Sequence, residues 1–176
     1  MNTLTHKCEG RYYPYSTLRD VLPTAQDDAL LVDAIEAVHA ILGSGKSGTC
    51  PCCNQTVKVY KRSLTSSMGR WLIWLVRSFG QTREWVDIKG SPVRGGDYAK
   101  FLHWGMAKQS RYEDGGKKNS GLWKPTLRGG KFVRKLLVVP SYALVYNNTP
   151  VGWSDVAIDI VDALKKKFSY KELMGR

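Results

Sequence analysis

Histidine is scarce in this chain of 176 residues, which has three: His6, His39 and His103. General acid–base and nucleophilic chemistry leans on a histidine or carboxylate set beside a partner, and no spacing here supplies such a pair. His39 and His103 read as packing residues, and Asp155, Asp159 and Asp162 as one solvated helix face. The expectation is a protein that is not an enzyme. Long apolar runs are also missing. The longest, such as residues 71–76 and 136–139, fall far short of the roughly 20 residues that cross a bilayer, so no membrane partner is expected. The opening stretch, with His6, Lys7, Glu9 and Arg11, lacks the apolar run of about 7 to 15 residues that a secretory signal needs. A cytoplasmic chain is expected.

Acidic residues are the third shortage. There are 15 Asp and Glu against 27 Lys and Arg, a formal charge of +12. The excess is uneven: residues 89–135 hold twelve basic side chains and three acids, which leaves +3 for the rest of the chain. One contiguous positive stretch is what a surface for nucleic acid or another polyanion needs. Six Trp, nine Tyr and a hydrophobic share of 43% supply enough apolar surface for a core and exclude wholesale disorder. The length allows one domain with a small appendage.

Residues 1–62 read as an arm without sustained helical or strand period, an amphipathic helix and a cysteine knuckle. Leu30, Leu31, Ala34, Ile35, Val38, Ile41 and Leu42 recur at spacings of three and four, with Gly43 as a stop, which predicts a helix over residues 27–42. Residues 40–47, A-I-L-G-S-G-K-S, match a loose phosphate-loop pattern. That device needs a strand before the loop and a helix after it. Here a helix precedes the loop and cysteines follow it, so the match is read as accidental.

Cysteines are few, and their spacing is informative. Cys50-Pro51-Cys52-Cys53-Asn54 has the C-P-x-C form of a zinc knuckle, followed by a residue that tolerates positive φ. Two thiolates three positions apart can share one metal, but structural zinc wants four ligands. Cys8 and His6, in His6-Lys7-Cys8, are the candidates to complete the set with Cys50 and Cys53. Cys52 competes with its neighbours, and a metal-free thiol pair or a site completed by another subunit remain as alternatives. A disulfide is disfavoured in a reducing compartment.

From residue 63 to 135 the expected order is a buried helix (residues 67–80), a brief strand (85–88), a helix from Asp97 to about Trp104 with Asp97 as its cap, a strand (105–108), a long basic loop, a strand (121–125) and a helix (126–135). Residues 136–176 read as a strand pair and a last helix, capped by Ser154 and running to Phe168, packed on the core. The order in the middle segment, with Leu102-His103-Trp104-Gly105-Met106 followed by Trp123 and Thr126-x-x-Gly129-x-x-Phe132, resembles the winged helix-turn-helix domain. The departure is residues 85–95, where Gly90, Pro92 and Gly95 leave little room for a support helix. Knuckle, winged domain and basic C-terminal helix together resemble small phage-encoded zinc-containing proteins of unassigned function.

The resemblance implies an α+β fold, a winged helix-turn-helix core with a zinc knuckle and helical extensions. It implies double-stranded DNA as the partner of a regulator or accessory binder, in the host cytoplasm if phage-encoded. Arg94, Tyr98 and Lys100 would stand at the exposed start and face of the groove helix. Arg111, Lys117, Lys118 and Asn119 on the wing would meet phosphates or the minor groove. The alternative partner is an acidic host protein, a nucleic-acid enzyme held as if by an inhibitor. An exposed aromatic patch of Tyr12, Tyr13, Tyr15 and Trp153 would favour that partner.

Overall fold

The computed structural model describes residues 5–8, 11–14, 25–52, 54–110 and 120–175, with side chains from residue 32 onward. The fold is α+β, and it divides into two units: Met1–Lys61 with Leu144–Val151, and Arg62–Ala143 with Gly152–Arg176. Among the described residues, no helix is long and apolar enough to cross a membrane.

The first unit opens with a two-stranded antiparallel hairpin, β1 (Thr5–Cys8) and β2 (Arg11–Pro14), in the register His6↔Tyr13 and Cys8↔Arg11. The expected arm without strands is thus corrected. Four residues are too few for alternation to show in a sequence window. Helix α1 (Ala25–Gly43) follows, close to its expected bounds. Its buried Ala34 and Val38 and half-buried Ile41 and Leu42 make the apolar stripe. Against Val38 pack Cys50 and Val57, from the short hairpin β3 (Gly48–Thr49) and β4 (Thr56–Val57), and Tyr146 from later in the chain. A Cβ at Gly48 would lie 2.6 Å from Ile41 Cδ1, so a larger residue there would make the Ile41 side chain shift. His39 is exposed instead of packed, since it stands one position beyond the buried Val38.

Strand β5 (Tyr60–Ser63) leads into α2 (Ser66–Thr82), the central helix of the second unit. Thr65 caps it by accepting from the Met68 amide, and Arg83 closes it in the left-handed region at φ 61°, its amide donating to Phe79. Met68, Trp71, Leu72, Ile73 and Leu75 are buried. Fully burying each such side chain is worth about 1.5–3 kcal/mol. Trp71 is the hub: Tyr98 stacks on it at 4.9 Å, Phe101 lies at 6.1 Å and Trp123 meets it edge-on at 5.5 Å.

Over this helix lies a three-stranded sheet in the order β6-β8-β7, from β6 (Val86–Asp87), β7 (Ala107–Gln109) and β8 (Leu122–Pro125). Between β6 and β7 the chain makes two 3-10 turns, Ile88–Gly90 and Asp97–Leu102. The second replaces the expected α-helix to Trp104. Gly96, not Asp97, occupies its cap position and offers no side-chain bond. Helix α3 (Leu127–Val133) then turns back into the core.

Strand β9 (Val139–Pro140) precedes β10 (Tyr142–Tyr146), with which it does not pair. β10 and β11 (Thr149–Trp153) are joined by Asn147 and Asn148 at φ 45° and 62°, the double left-handed turn that hairpins favour. These strands extend a sheet in the order β11-β10-β5. Ser154 does not cap the last helix. Its hydroxyl bonds Val156 and Ser141 instead, while β12 (Ala157–Ile158) pairs with β9. Helix α4 (Ile160–Leu164) starts at a capping box of Asp159 and Asp162, so those acids are a helix start and not one solvated face with Asp155. Lys165, at φ 56°, ends α4, and α5 (Tyr170–Met174) follows a 3-10 turn of three lysines.

Candidate nucleic-acid interface

Assigning each charged residue to its unit sharpens the pattern of the sequence. The first unit holds 6 Lys and Arg against 6 Asp and Glu, and the second 21 against 9. The whole excess of +12 belongs to the second unit. Unlike a scattered excess, this places the net positive charge on one folded unit, which also holds 9 acids.

The sheet of that unit shows how the field is held. In the β7–β8 register Lys108 stands directly opposite Lys124, and neighbouring Ala107 and Trp123 are buried beneath them. Like charges opposite one another on antiparallel strands are destabilising. Lys124 finds partial compensation in the Trp85 ring, whose centroid lies 4.4 Å from its ammonium. The strands therefore carry a cation pair that does nothing for their own pairing. Lys108 and Lys124 escaped sequence reasoning because their juxtaposition depends on register.

The loop between these strands leaves a closed neck. Ser110 donates its amide to Leu122 O at 2.9 Å, the Ser120 hydroxyl donates to Ser110 O at 2.9 Å, and the Leu122 amide donates to Ser120 Oγ at 3.1 Å. Gly121, at φ 74°, makes the return possible. The expected loop residues Arg111, Lys117, Lys118 and Asn119 lie outside the described residues.

Of the residues expected on the groove element, Arg94 is exposed. Lys100 is half-buried, and its ammonium is held 2.6 Å from Asp97 Oδ1, one turn away. Tyr98 is corrected. Its ring stacks on Trp71 and meets Trp123 edge-on at 5.5 Å, so it fixes the 3-10 turn to the core and is not an exposed contact.

Helix α3 explains the T-x-x-G-x-x-F pattern residue by residue. Thr126 Oγ1 accepts from the Gly129 amide at 3.1 Å and donates to Gly105 O at 2.7 Å, capping the helix and tying it to the start of β7. A Cβ at Gly129 would sit 2.1 Å from Met106 O, so the close approach requires glycine. Phe132 is fully buried. The outer side carries exposed Arg128, Lys131 and Arg134, none of which is in an ion pair among the described residues.

In the neutral unit, Cys50 follows β3 at the start of a turn. The Cys50 amide donates to Gln55 O and the Asn54 amide to Cys50 O, each at 2.9 Å, and Asn54 takes φ 54°. Cys50 is buried and Cys52 exposed. Cys53 and the side chains of His6 and Cys8 lie outside the described residues, among which no group of three metal-ligating side chains occurs.

The 40–47 segment is a helix ending. The amides of Ser44 and Gly45 donate to Ala40 and Leu42 carbonyls, and that of Lys46 to Ser44 Oγ. Those N–H groups are occupied where a phosphate loop would need them.

One grouping was invisible to sequence reasoning. Trp104 and Trp153, far apart in the chain, meet edge-on at 5.6 Å, with Trp104 pinned by its indole N–H donating to Pro140 O at 2.9 Å. Beside them His103 is held below its ordinary pKa, first by burial and then by the charges of Arg62 and Lys100. No family model, curated protein or solved structure matches the chain.

Proposed function

We propose that the basic unit is a winged helix-turn-helix module that binds double-stranded DNA without catalysis, as a regulator or accessory binder. The observation that carries this reading is the placement of the entire net charge on the unit whose sheet runs β6-β8-β7 around a loop framed by Lys108 and Lys124. In that strand order the last strand, β8, lies between the other two, and β7 and β8 are joined by the basic segment proposed as a wing. The first support element is a single 3-10 turn, Ile88–Gly90, in keeping with the short segment before Arg94. Arg94, Lys100 and the wing residues Arg111, Lys117, Lys118 and Asn119 are the proposed contacts, joined by Lys108 and Lys124. With about five side chains on phosphates, log K against log salt should fall with a slope of roughly −4 to −5. Lys117→Ala with Lys118→Ala should flatten that slope by about one to two, equally on all sequences. Absence of duplex binding at low salt, with a stable complex on an acidic protein instead, turns the assignment to the protein-interaction alternative; of the aromatics that would mark that face, Trp153 is exposed, and the side chains of Tyr12, Tyr13 and Tyr15 lie outside the described residues.

The neutral unit is proposed to hold a structural zinc on Cys50 and Cys53, with Cys8 and His6 completing the set. The turn with Asn54 at positive φ fits a pair of thiolates there. Elemental analysis of untagged protein should give one zinc per chain. Four freely titratable thiols and no metal would sink the assignment.

A further inference from the structure

On the basic unit, Leu102, His103, Trp104, Arg128, Pro140 and Trp153 line an open depression of about 460 Å³, within the range of roughly 300–1,000 Å³ typical of small-ligand sites. Its wall is aromatic, and its charged residue is Arg128. Trp153 is 42% exposed although its neighbour Trp104 is 3% exposed, and the 66° angle between their rings leaves Trp153 outside any sandwich. Leu102 adds a further apolar surface, 45% exposed. Arg128 is exposed and in no ion pair among the described residues, and no acid lines the wall. His103, on the same wall, offers one donor and one acceptor when neutral, as a base edge requires. A purely apolar occupant would leave the positive charge unanswered, and a carboxylate peptide would leave the ring without a flat partner.

We infer that this depression takes an unpaired nucleotide, its base stacked on Trp153 and its phosphate on Arg128, so that the protein favours nucleic acid with a single-stranded end over continuous duplex. The inference rests on the reading of the basic unit as nucleic-acid-binding, and it names which part of the nucleic acid is held where.

The experiment compares a blunt duplex with the same duplex carrying a short thymine extension, for the wild type, Trp153→Ala, Trp153→Phe and Arg128→Ala, with thermal melts to establish that each variant is folded. The wild type should bind the extended duplex about tenfold more tightly, as stacking of one base allows. Trp153→Ala should lose that preference with blunt-duplex affinity unchanged, Trp153→Phe should keep most of it, and Arg128→Ala should reduce it. Equal affinity of the wild type for the two duplexes, or full preference retained in folded Trp153→Ala, overturns the inference while leaving duplex binding intact. Binding of a thymine oligonucleotide through Trp153 without any blunt-duplex binding upholds it and removes the duplex reading. Poly-glutamate binding with the same dependence on Trp153 overturns it, because that polymer has charge but no ring.

Discussion

The two units of this chain differ in charge and in what holds them. The first balances its charges, and among its described residues the core is a small cluster of Val38, Cys50, Val57 and Tyr146. The second carries +12 and buries Trp71, Trp123, Phe101 and Phe132 completely or nearly so. A body with that much aromatic burial tolerates the self-repulsion of a strong field. A unit of so few residues is of the size that small scaffolds brace with metal or disulfide. Under the proposed function, the contrast would give polyanion recognition to one unit and a braced extension to the other.

The largest effect should come from attacking the brace. With a structural site, the apparent metal contribution is on the order of 10 kcal/mol, so chelation should abolish hydrogen-exchange protection in α1 and the β3–β4 hairpin. Protection in α2 should persist, and so should duplex binding. Equal loss in both units would end the contrast.

Next in size is the hub of the basic unit. Trp71→Ala should cost about 3–5 kcal/mol in urea unfolding, with its strongest consequences in α2, β8 and the turn that carries Tyr98. Gly129→Ala follows, at about 1–3 kcal/mol or more, because the new methyl would meet the Met106 carbonyl, which is backbone and cannot rotate away. Gly69→Ala is the control. There the nearest atom is Leu164 Cδ2 at 3.2 Å, the end of a flexible side chain, and the added helix propensity opposes the crowding. Similar losses at the two glycines would show that close backbone approach is not what Gly129 serves.

That glycine also marks what a sequence can disclose. Thr126, Gly129 and Phe132 were picked out by their likeness to the T-x-x-G-x-x-F pattern; the approach of Gly129 to Met106, 23 residues away, was not legible, whereas the Thr126 cap is local to one helix. The α1 and α2 stripes were legible for the same reason, and so was the left-handed residue at Asn54. Tyr98 was misread because a 3-10 turn has a different period from an α-helix, which moves its ring from the outer side onto Trp71. Ser154 was misread because a Ser before acids signals a cap, whereas here residues 157–158 are first drawn into pairing with β9. The Lys108–Lys124 opposition and the Trp104–Trp153 contact depend on strand register and on pairing across the chain, which no local window encodes.

A smaller effect concerns pH. Unfolded, His103 takes up its proton near pH 6.5; folded, it does so at lower pH, because burial and then Arg62 and Lys100 oppose the charge. Between those values the unfolded chain binds more protons, so stability should fall as pH falls below about 6.5 and be unaffected by this group above it. His103→Gln should remove that part of the acid sensitivity, read as the difference between urea midpoints above and below this window. An unchanged difference would mean that the imidazole charges freely in the folded unit.

The smallest effect tests the groove element itself. Lys100 is committed to Asp97 at 2.6 Å, with the carboxylate side chain 61% exposed. An exposed pair one turn apart is worth about 0–1 kcal/mol, so Asp97→Asn should leave the melting temperature nearly unchanged. For recognition the consequence differs. The substitution removes an acid from the proposed DNA-facing surface and frees an ammonium that can then displace one more counterion. Duplex affinity at low salt should rise a few-fold, and the salt slope should steepen by up to about one. The double variant Asp97→Asn with Lys100→Ala should lose the steeper slope, because the freed cation is gone. An unchanged affinity and slope in Asp97→Asn would place the 3-10 turn away from the phosphates and leave the β7–β8 lysines and the wing as the whole of the duplex contact.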